Sequence, residues 1–167
     1  MDNKNLNWAY KIQETLYSMG VRHVCICPGA RNTALTIAFT NKSKVNATSH
    51  IDERSAGYFA LGLSKKTIIP TVIITTSGTA VANLLPSIIE SSYSKTPVIV
   101  LSADRPKNHI GIGENQAINQ QNIFGDNVRG NFDIGLPRNN YSILTEILLN
   151  AYKKSMGTLD IPPGAVH

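Results

Sequence analysis

Thr71-Val72-Ile73-Ile74-Thr75-Thr76-Ser77-Gly78-Thr79-Ala80 decides how this chain is read. Its first six residues form a near-continuous apolar and β-branched run, the pattern of a strand buried on both faces, and such strands belong to mainly parallel sheets covered by helices. The run enters Ser77-Gly78-Thr79 and then a helix through Leu84, Leu85, Ile88 and Ile89, which Pro86 either kinks or divides. The same strand-turn-helix unit recurs upstream. Val21 to Cys27 enters Pro28-Gly29-Ala30-Arg31-Asn32 and a helix carrying Leu35, Ala38 and Phe39. Val45 to Thr48 precedes a helix that starts after Asp52, with Ala56, Phe59, Ala60 and Leu63 at i, i+3, i+4 and i+7 as its inner face. Downstream, Pro97 to Ser102 leads into Ala103-Asp104-Arg105-Pro106-Lys107.

Amphipathic helices frame these units. Asn5 to Met19 places Ala9, Ile12, Leu16 and Met19 on one stripe and ends at Gly20. Tyr141 to Met156 closes the chain with Ile143, Leu144, Ile147, Leu148 and Ala151. Phe132 to Leu136 reads as a last strand or an extended link, and the tail from Thr158 to His167 as a segment that simply stops. The expected fold is therefore one domain over 1–167, a three-layer α/β/α arrangement around a mainly parallel sheet.

The 167 residues suffice for a core of their own, and 42% hydrophobic against 16% charged residues excludes a disordered chain. The longest apolar run, Ile68 to Ile74, is broken by Pro70 and Thr71 and falls far short of a membrane span. The polar start Met1-Asp2-Asn3-Lys4-Asn5 is not that of a signal peptide. A net charge of +5 is scattered without a basic stripe or interleaved aromatics, which argues against nucleic acid and for small anionic ligands. Cys25 and Cys27 sit two apart in one strand, a spacing poor for a disulfide and incomplete for a metal, so reduced, packed thiols in a cytoplasmic protein are expected.

Ligands of open parallel sheets bind beyond the carboxyl ends of the strands, and the chemistry-bearing residues gather at those ends. Glu53 follows Asp52, which as N-cap would leave the Glu53 carboxylate free in the first helical turn. An acidic residue there also serves the helix dipole alone. Arg31 and Arg105 are each read either as surface residues or as anion contacts, and Asp104 as a cap or ion-pair partner. Ser77-Gly78-Thr79 is either a phosphate cradle or a close-packed turn with a hydroxyl cap, and lacks the lysine of a Walker sequence. Gly111-Ile112-Gly113 has neither the third glycine nor the strand of a dinucleotide fingerprint. Asn115 to Gln121 holds five carboxamides in seven residues, a candidate for polar ligand contacts or a solvated loop.

Taken together, Pro28-Gly29-Ala30-Arg31, Asp52-Glu53-Arg54-Ser55-Ala56-Gly57, Thr76-Ser77-Gly78-Thr79-Ala80, Ala103-Asp104-Arg105-Pro106 and Asn115-Gln116-Ala117-Ile118-Asn119-Gln120 closely resemble the pyrimidine-binding, amino-terminal domain of the thiamine-diphosphate-dependent synthases of menaquinone biosynthesis. The resemblance runs from about Asn7 to His167. It implies that Glu53 hydrogen-bonds the cofactor's aminopyrimidine ring as the catalytic carboxyl group. Pro28, Gly29, Ser77 and Gly78 would line the cofactor, and Arg31, Arg105, Asn115 and Gln116 would bind the dianions 2-oxoglutarate and isochorismate.

Ala30 and Asn32 stand where the family usually has serine. No Gly-Asp-Gly occurs for the diphosphate and Mg2+ or Mn2+, Gly125-Asp126-Asn127 being the nearest string. The chain carries no metal ligands in this reading. It is expected to be a fragment, inactive alone, of a homo-oligomeric transferase whose active site lies between subunits. Two alternatives are a non-catalytic domain binding an anion or a partner protein, and another thiamine-diphosphate decarboxylase.

Overall fold

The computed structural model describes residues 3–41, 43–138 and 140–167, so Met1 and Asp2 of the polar start lie outside the described residues. Strands β1 (His23–Ile26), β2 (Asn46–Ser49), β3 (Thr71–Thr75), β4 (Val98–Ser102) and β5 (Ala165–Val166) form a sheet in the order β2-β1-β3-β4-β5. Every pairing is parallel. The carboxyl ends of β1 to β4 therefore share one edge of the sheet.

Period-two alternation divides the core between the two faces. Val24, Ile26, Val72, Ile74 and Ile99 meet α1 (Lys4–Ser18), α2 (Thr33–Thr40) and α6 (Tyr141–Met156) through Trp8, Ile12, Leu16, Phe39, Leu144 and Leu148. Cys25, Cys27, Ile73, Val98 and Val100 face α3 (Glu53–Thr67), α4 (Thr79–Ala82) and α5 (Leu85–Ser94) through Ala56, Ala60, Val81, Leu84 and Ile88. This is the expected three-layer parallel architecture. Both cysteines are free and buried on the same face, and burial pushes their thiols up, Cys25 to about 11 and Cys27 to about 12, the nearby Glu53 carboxylate adding to the second. Neither is a reactive thiol at neutral pH.

Two details differ from the sequence reading, and alternatives left open there are resolved. The tail does not simply stop: Ala165–Val166 is the edge strand beside β4, and Arg129 N–H and Phe132 N–H donate to the carbonyls of Ala165 and His167 at 2.7 Å each. Residues 132–136 are the extended link, with no strand. A two-residue strand is invisible to any periodicity argument. Second, the inner face of α3 is Ala56, Gly57, Ala60, Leu61 and Ser64, while Phe59 is 46% exposed. The helix is rotated because small residues let it lie close to α5. Of the two readings of Pro86, the structure has it dividing the helix, in the first turn of α5 where a missing N–H costs nothing.

The closeness of α3 and α5 is measurable at Gly57. A Cβ built there would lie 2.1 Å from Ser87 Oγ and 2.8 Å from Ser87 Cβ. Helix propensity alone favours alanine over glycine by about 1 kcal/mol, yet overpacking costs about 1–3 kcal/mol. Gly57→Ala is expected to lower the urea-unfolding free energy by about 1–2 kcal/mol, and Ser87→Gly in the same chain to return most of it. A stabilised Gly57→Ala variant contradicts this packing.

Candidate functional site

Each strand end delivers one part of the site. After β1, the turn 27–32 is closed by Asn32, which is 1% exposed: its Oδ1 accepts Gly29 N–H at 2.8 Å and its Nδ2 donates to Cys27 C=O at 2.9 Å. Both halves of the amide are spent inside the turn, so Asn32 holds the shape of the turn. Gly29 is required here, because a Cβ would lie 2.6 Å from Thr76 Cβ at the end of the neighbouring β3. That contact sits between β1 and β3, where the strand order reverses and open α/β sheets form their ligand crevice.

After β2, Asp52 caps α3, its Oδ1 accepting Ser55 N–H at 2.7 Å. These Ser55 hydrogen bonds hold the Asp52 carboxyl below the usual range. Glu53 stands in the first turn as expected, but its carboxylate is not free. Oε2 accepts from Asn83 Nδ2 at 3.2 Å, while Oε1 takes no hydrogen bond among the described residues. Asp52, Arg54, Ala82, Asn83, Leu85 and Pro86 line an open groove beside it.

After β3, Ser77 and Gly78 are buried and already paired: Ser77 Oγ donates to Gln116 C=O at 2.8 Å and Gly78 N–H to Gln120 Oε1 at 2.7 Å. Gly78 has φ +86 and lies against Gln116, whose Cα would be 3.1 Å from a Cβ at position 78. Of the two readings of this turn, the described arrangement is the close-packed one. After β4, Asp104 Oδ1 caps Arg105 N–H at 2.7 Å, the structural role expected of it; burial nonetheless raises the Asp104 carboxyl, and Asp133 adds to the rise.

The segment 114–120 draws three of these ends together. Arg31 Nη1 donates to Gln116 Oε1 at 2.6 Å and its Nη2 to Asn115 C=O at 2.9 Å. Arg105 Nη2 pairs with Glu114 Oε2, and His109 Nδ1 meets Glu114 Oε1 at 2.6 Å. Gln120, 3% exposed, spans β3 and β4: beyond its bond to Gly78, its Nε2 donates to Ala103 C=O at 3.0 Å and approaches Ser102 Oγ at 3.5 Å. Arg31, Arg105, Asn115, Gln116, Ser77 and Gly78 thus belong to one hydrogen-bonded region, and Glu53 stands outside it with Asn83.

Sequence reasoning missed Asn83, Glu114 and His109, and the latching role of Gln120. The carboxamide-rich run pointed to Gln120, but to a ligand contact rather than a latch within the protein. Nothing in the pattern signalled the other three.

Residues 7–123 match the family described as thiamine pyrophosphate enzyme, N-terminal TPP binding domain. The chain belongs to this family. Several curated relatives are named 2-succinyl-5-enolpyruvyl-6-hydroxy-3-cyclohexene-1-carboxylate synthase. The one from Shewanella amazonensis is 47% identical over 158 residues, 95% of this chain and 27% of the relative. Those from Haloquadratum walsbyi and Cronobacter sakazakii are 42% and 44% identical over 99% and 98% of this chain, and over 27% and 29% of their own lengths. The TPP-binding domain described here therefore spans less than a third of these relatives.

At this edge one carboxylate oxygen of Glu53 is open to a hydrogen-bond donor of such a cofactor. Among the described residues Glu53 Oε1 takes no hydrogen bond and the buried Oγ1 atoms of Thr75 and Thr76 at the end of β3 have no partners, while a Cβ at Gly29 would meet Thr76. Among the described residues no group of three or more His, Cys, Asp or Glu could hold a metal ion, and no helix is long and apolar enough to cross a membrane.

At the far side of the region, Ser102 Oγ shares a 2.7 Å hydrogen bond with His167 Nε2, and burial pushes the imidazole down to about 4 from 6.5. Between those values the unfolded chain binds a proton that the folded chain does not. The neutral ring's contribution is therefore complete above about pH 6.5 and lost as the pH falls toward 4. Wild type is expected to lose up to about 3 kcal/mol more than His167→Gln over this window in urea titrations; parallel curves contradict a buried neutral His167.

Proposed function

We propose that this chain is the amino-terminal, pyrimidine-binding part of a synthase that decarboxylates 2-oxoglutarate and adds the remaining four-carbon unit to isochorismate in menaquinone biosynthesis. The observation that carries the reading is Glu53. It is a carboxylate at the start of α3, on the ligand edge of a TPP-binding domain, with one oxygen anchored by Asn83 and the other unpaired. The names of the relatives supply the class of product.

Thiamine diphosphate, when bound, supplies the nucleophilic carbon that attacks the 2-oxo acid and accepts the electrons left when carbon dioxide departs. The chain's own residues do the rest. Glu53 Oε1 would hold the proton on the aminopyrimidine ring, with Asn83 fixing the carboxylate's rotation. Pro28-Gly29 would line the cofactor, Gly29 allowing close approach at the crevice between β1 and β3, and the close-packed Ser77-Gly78 turn would back it with its own polar groups already paired. Arg31 is held by neutral acceptors, Asn115 C=O and Gln116 Oε1, so its positive charge is uncompensated there and available to a substrate carboxylate. Arg105 is the second guanidinium for such an anion, and Asn115 and Gln116 orient it. Diphosphate and Mg2+ or Mn2+ would be held by further domains of a longer cytoplasmic chain, and homo-oligomer assembly would complete the active site.

The test is release of carbon dioxide from 2-oxoglutarate by the full reading frame containing this chain, with isochorismate, thiamine diphosphate and magnesium. Turnover is expected, with Glu53→Gln reducing kcat at least about 100-fold and residues 1–167 alone inactive. Near-normal turnover by Glu53→Gln, or no turnover by the full frame, contradicts the reading.

A further inference from the structure

The two arginines differ in electrostatic state. Arg31 is bound by a carbonyl and a side-chain amide, whereas Arg105 already carries a carboxylate, Glu114 Oε2 on its Nη2. The pair is partly shielded, the side chains being 26% and 30% exposed. It engages the guanidinium at one point only. Among the described residues Arg105 Nε is buried without a hydrogen-bond partner and Glu114 Oε2 meets Nη2 as an ion pair without a hydrogen bond, so the Nε–Nη2 fork that a carboxylate can fill with two parallel bonds is left unfilled. Glu114 is also tethered on its other side. A carboxylate only accepts, so His109 Nδ1 is the donor of the 2.6 Å bond to Glu114 Oε1.

We propose that Glu114 is a specificity-determining residue: an internal carboxylate that occupies Arg105 and that any external carboxylate must displace. The proposal rests on the reading of Arg105 as a substrate-anion site. A tethered competitor acts through its effective concentration, which reaches the millimolar range for short tethers, so an incoming anion wins by offering more than Glu114 does. A carboxylate that fills both Nε and Nη2 does so, and a dianion whose second carboxylate finds Arg31 does so by a wider margin. His109 keeps a hydrogen bond to Glu114 when Arg105 is surrendered, which lowers the cost of the exchange. Because Asn115 and Gln116 follow Glu114 directly and hold Arg31, release of Glu114 is also felt at the other guanidinium.

The experiment titrates succinate, a plain dicarboxylate, into the full reading frame by calorimetry, for wild type, Glu114→Gln and Glu114→Gln/Arg105→Ala. Glutamine keeps the size of the side chain and can still accept from His109, but it loses the charge that occupies Arg105. Succinate affinity is expected to rise about fivefold in Glu114→Gln, the size of a partly shielded ion pair, and to lose that gain in the double variant. A structural role for Glu114 would weaken binding instead. Unchanged, weaker or undetectable binding by Glu114→Gln overturns the proposal, as does a gain that survives loss of Arg105. Tighter succinate binding without carbon dioxide release from 2-oxoglutarate would leave the internal competitor standing while the proposed reaction fell, and the converse pair of results would separate them the other way.

Discussion

The side-chain amide of Gln120 is the interaction on which the site depends. A buried amide must satisfy both of its ends or forfeit about 1–3 kcal/mol for each polar group left bare. Gln120 does so by accepting from Gly78 N–H after β3 and donating to Ala103 C=O after β4. Adjacent strand ends are thereby tied to one irregular segment. The segment lies so close to the β3 turn that only a glycine, at φ +86, fits beside Gln116. Loops are ordinarily the mobile part of an α/β domain, but 114–120 is latched at Gln120, at Ser77 and at both arginines.

That latch sorts the charges. Neutral acceptors hold Arg31 in place, while Glu114 pairs its carboxylate with Arg105. The same seven residues thus meet one guanidinium with neutral acceptors and the other with a carboxylate. Glu53 belongs to a different arm of the sheet edge, following β2 and resting on Asn83 at the junction of α4 and α5. In the proposed reaction α3 would meet the cofactor's ring and the 114–120 segment would meet the anion.

Much of this was legible in the sequence. Alternation between the two faces along Val24 to Cys27, all of them buried, and the unbroken run from Thr71 to Thr75 follow from period-two geometry, and they fix a parallel sheet with helices on both faces. Asp52 as a cap followed from local chemistry alone. What escaped depends on distances between segments far apart in the chain. The face of α3 was misjudged at Phe59 because its depth is set by Gly57 against Ser87, not by its own apolar spacing. The edge strand Ala165–Val166 owes its existence to β4 and to the 129–132 backbone. The pairs Asn83–Glu53 and Glu114–Arg105 join residues whose types are ordinary on any surface.

The most direct measurement of the central claim is native-state hydrogen exchange at the Gly78 amide, followed by NMR in the wild-type chain. If Gln120 holds that N–H as described, Gly78 exchanges only with global or near-global opening, with the same free energy as the amides of β3. Exchange at the rate of an exposed loop, with β3 still protected, would show that the latch does not hold and that the site has no fixed frame.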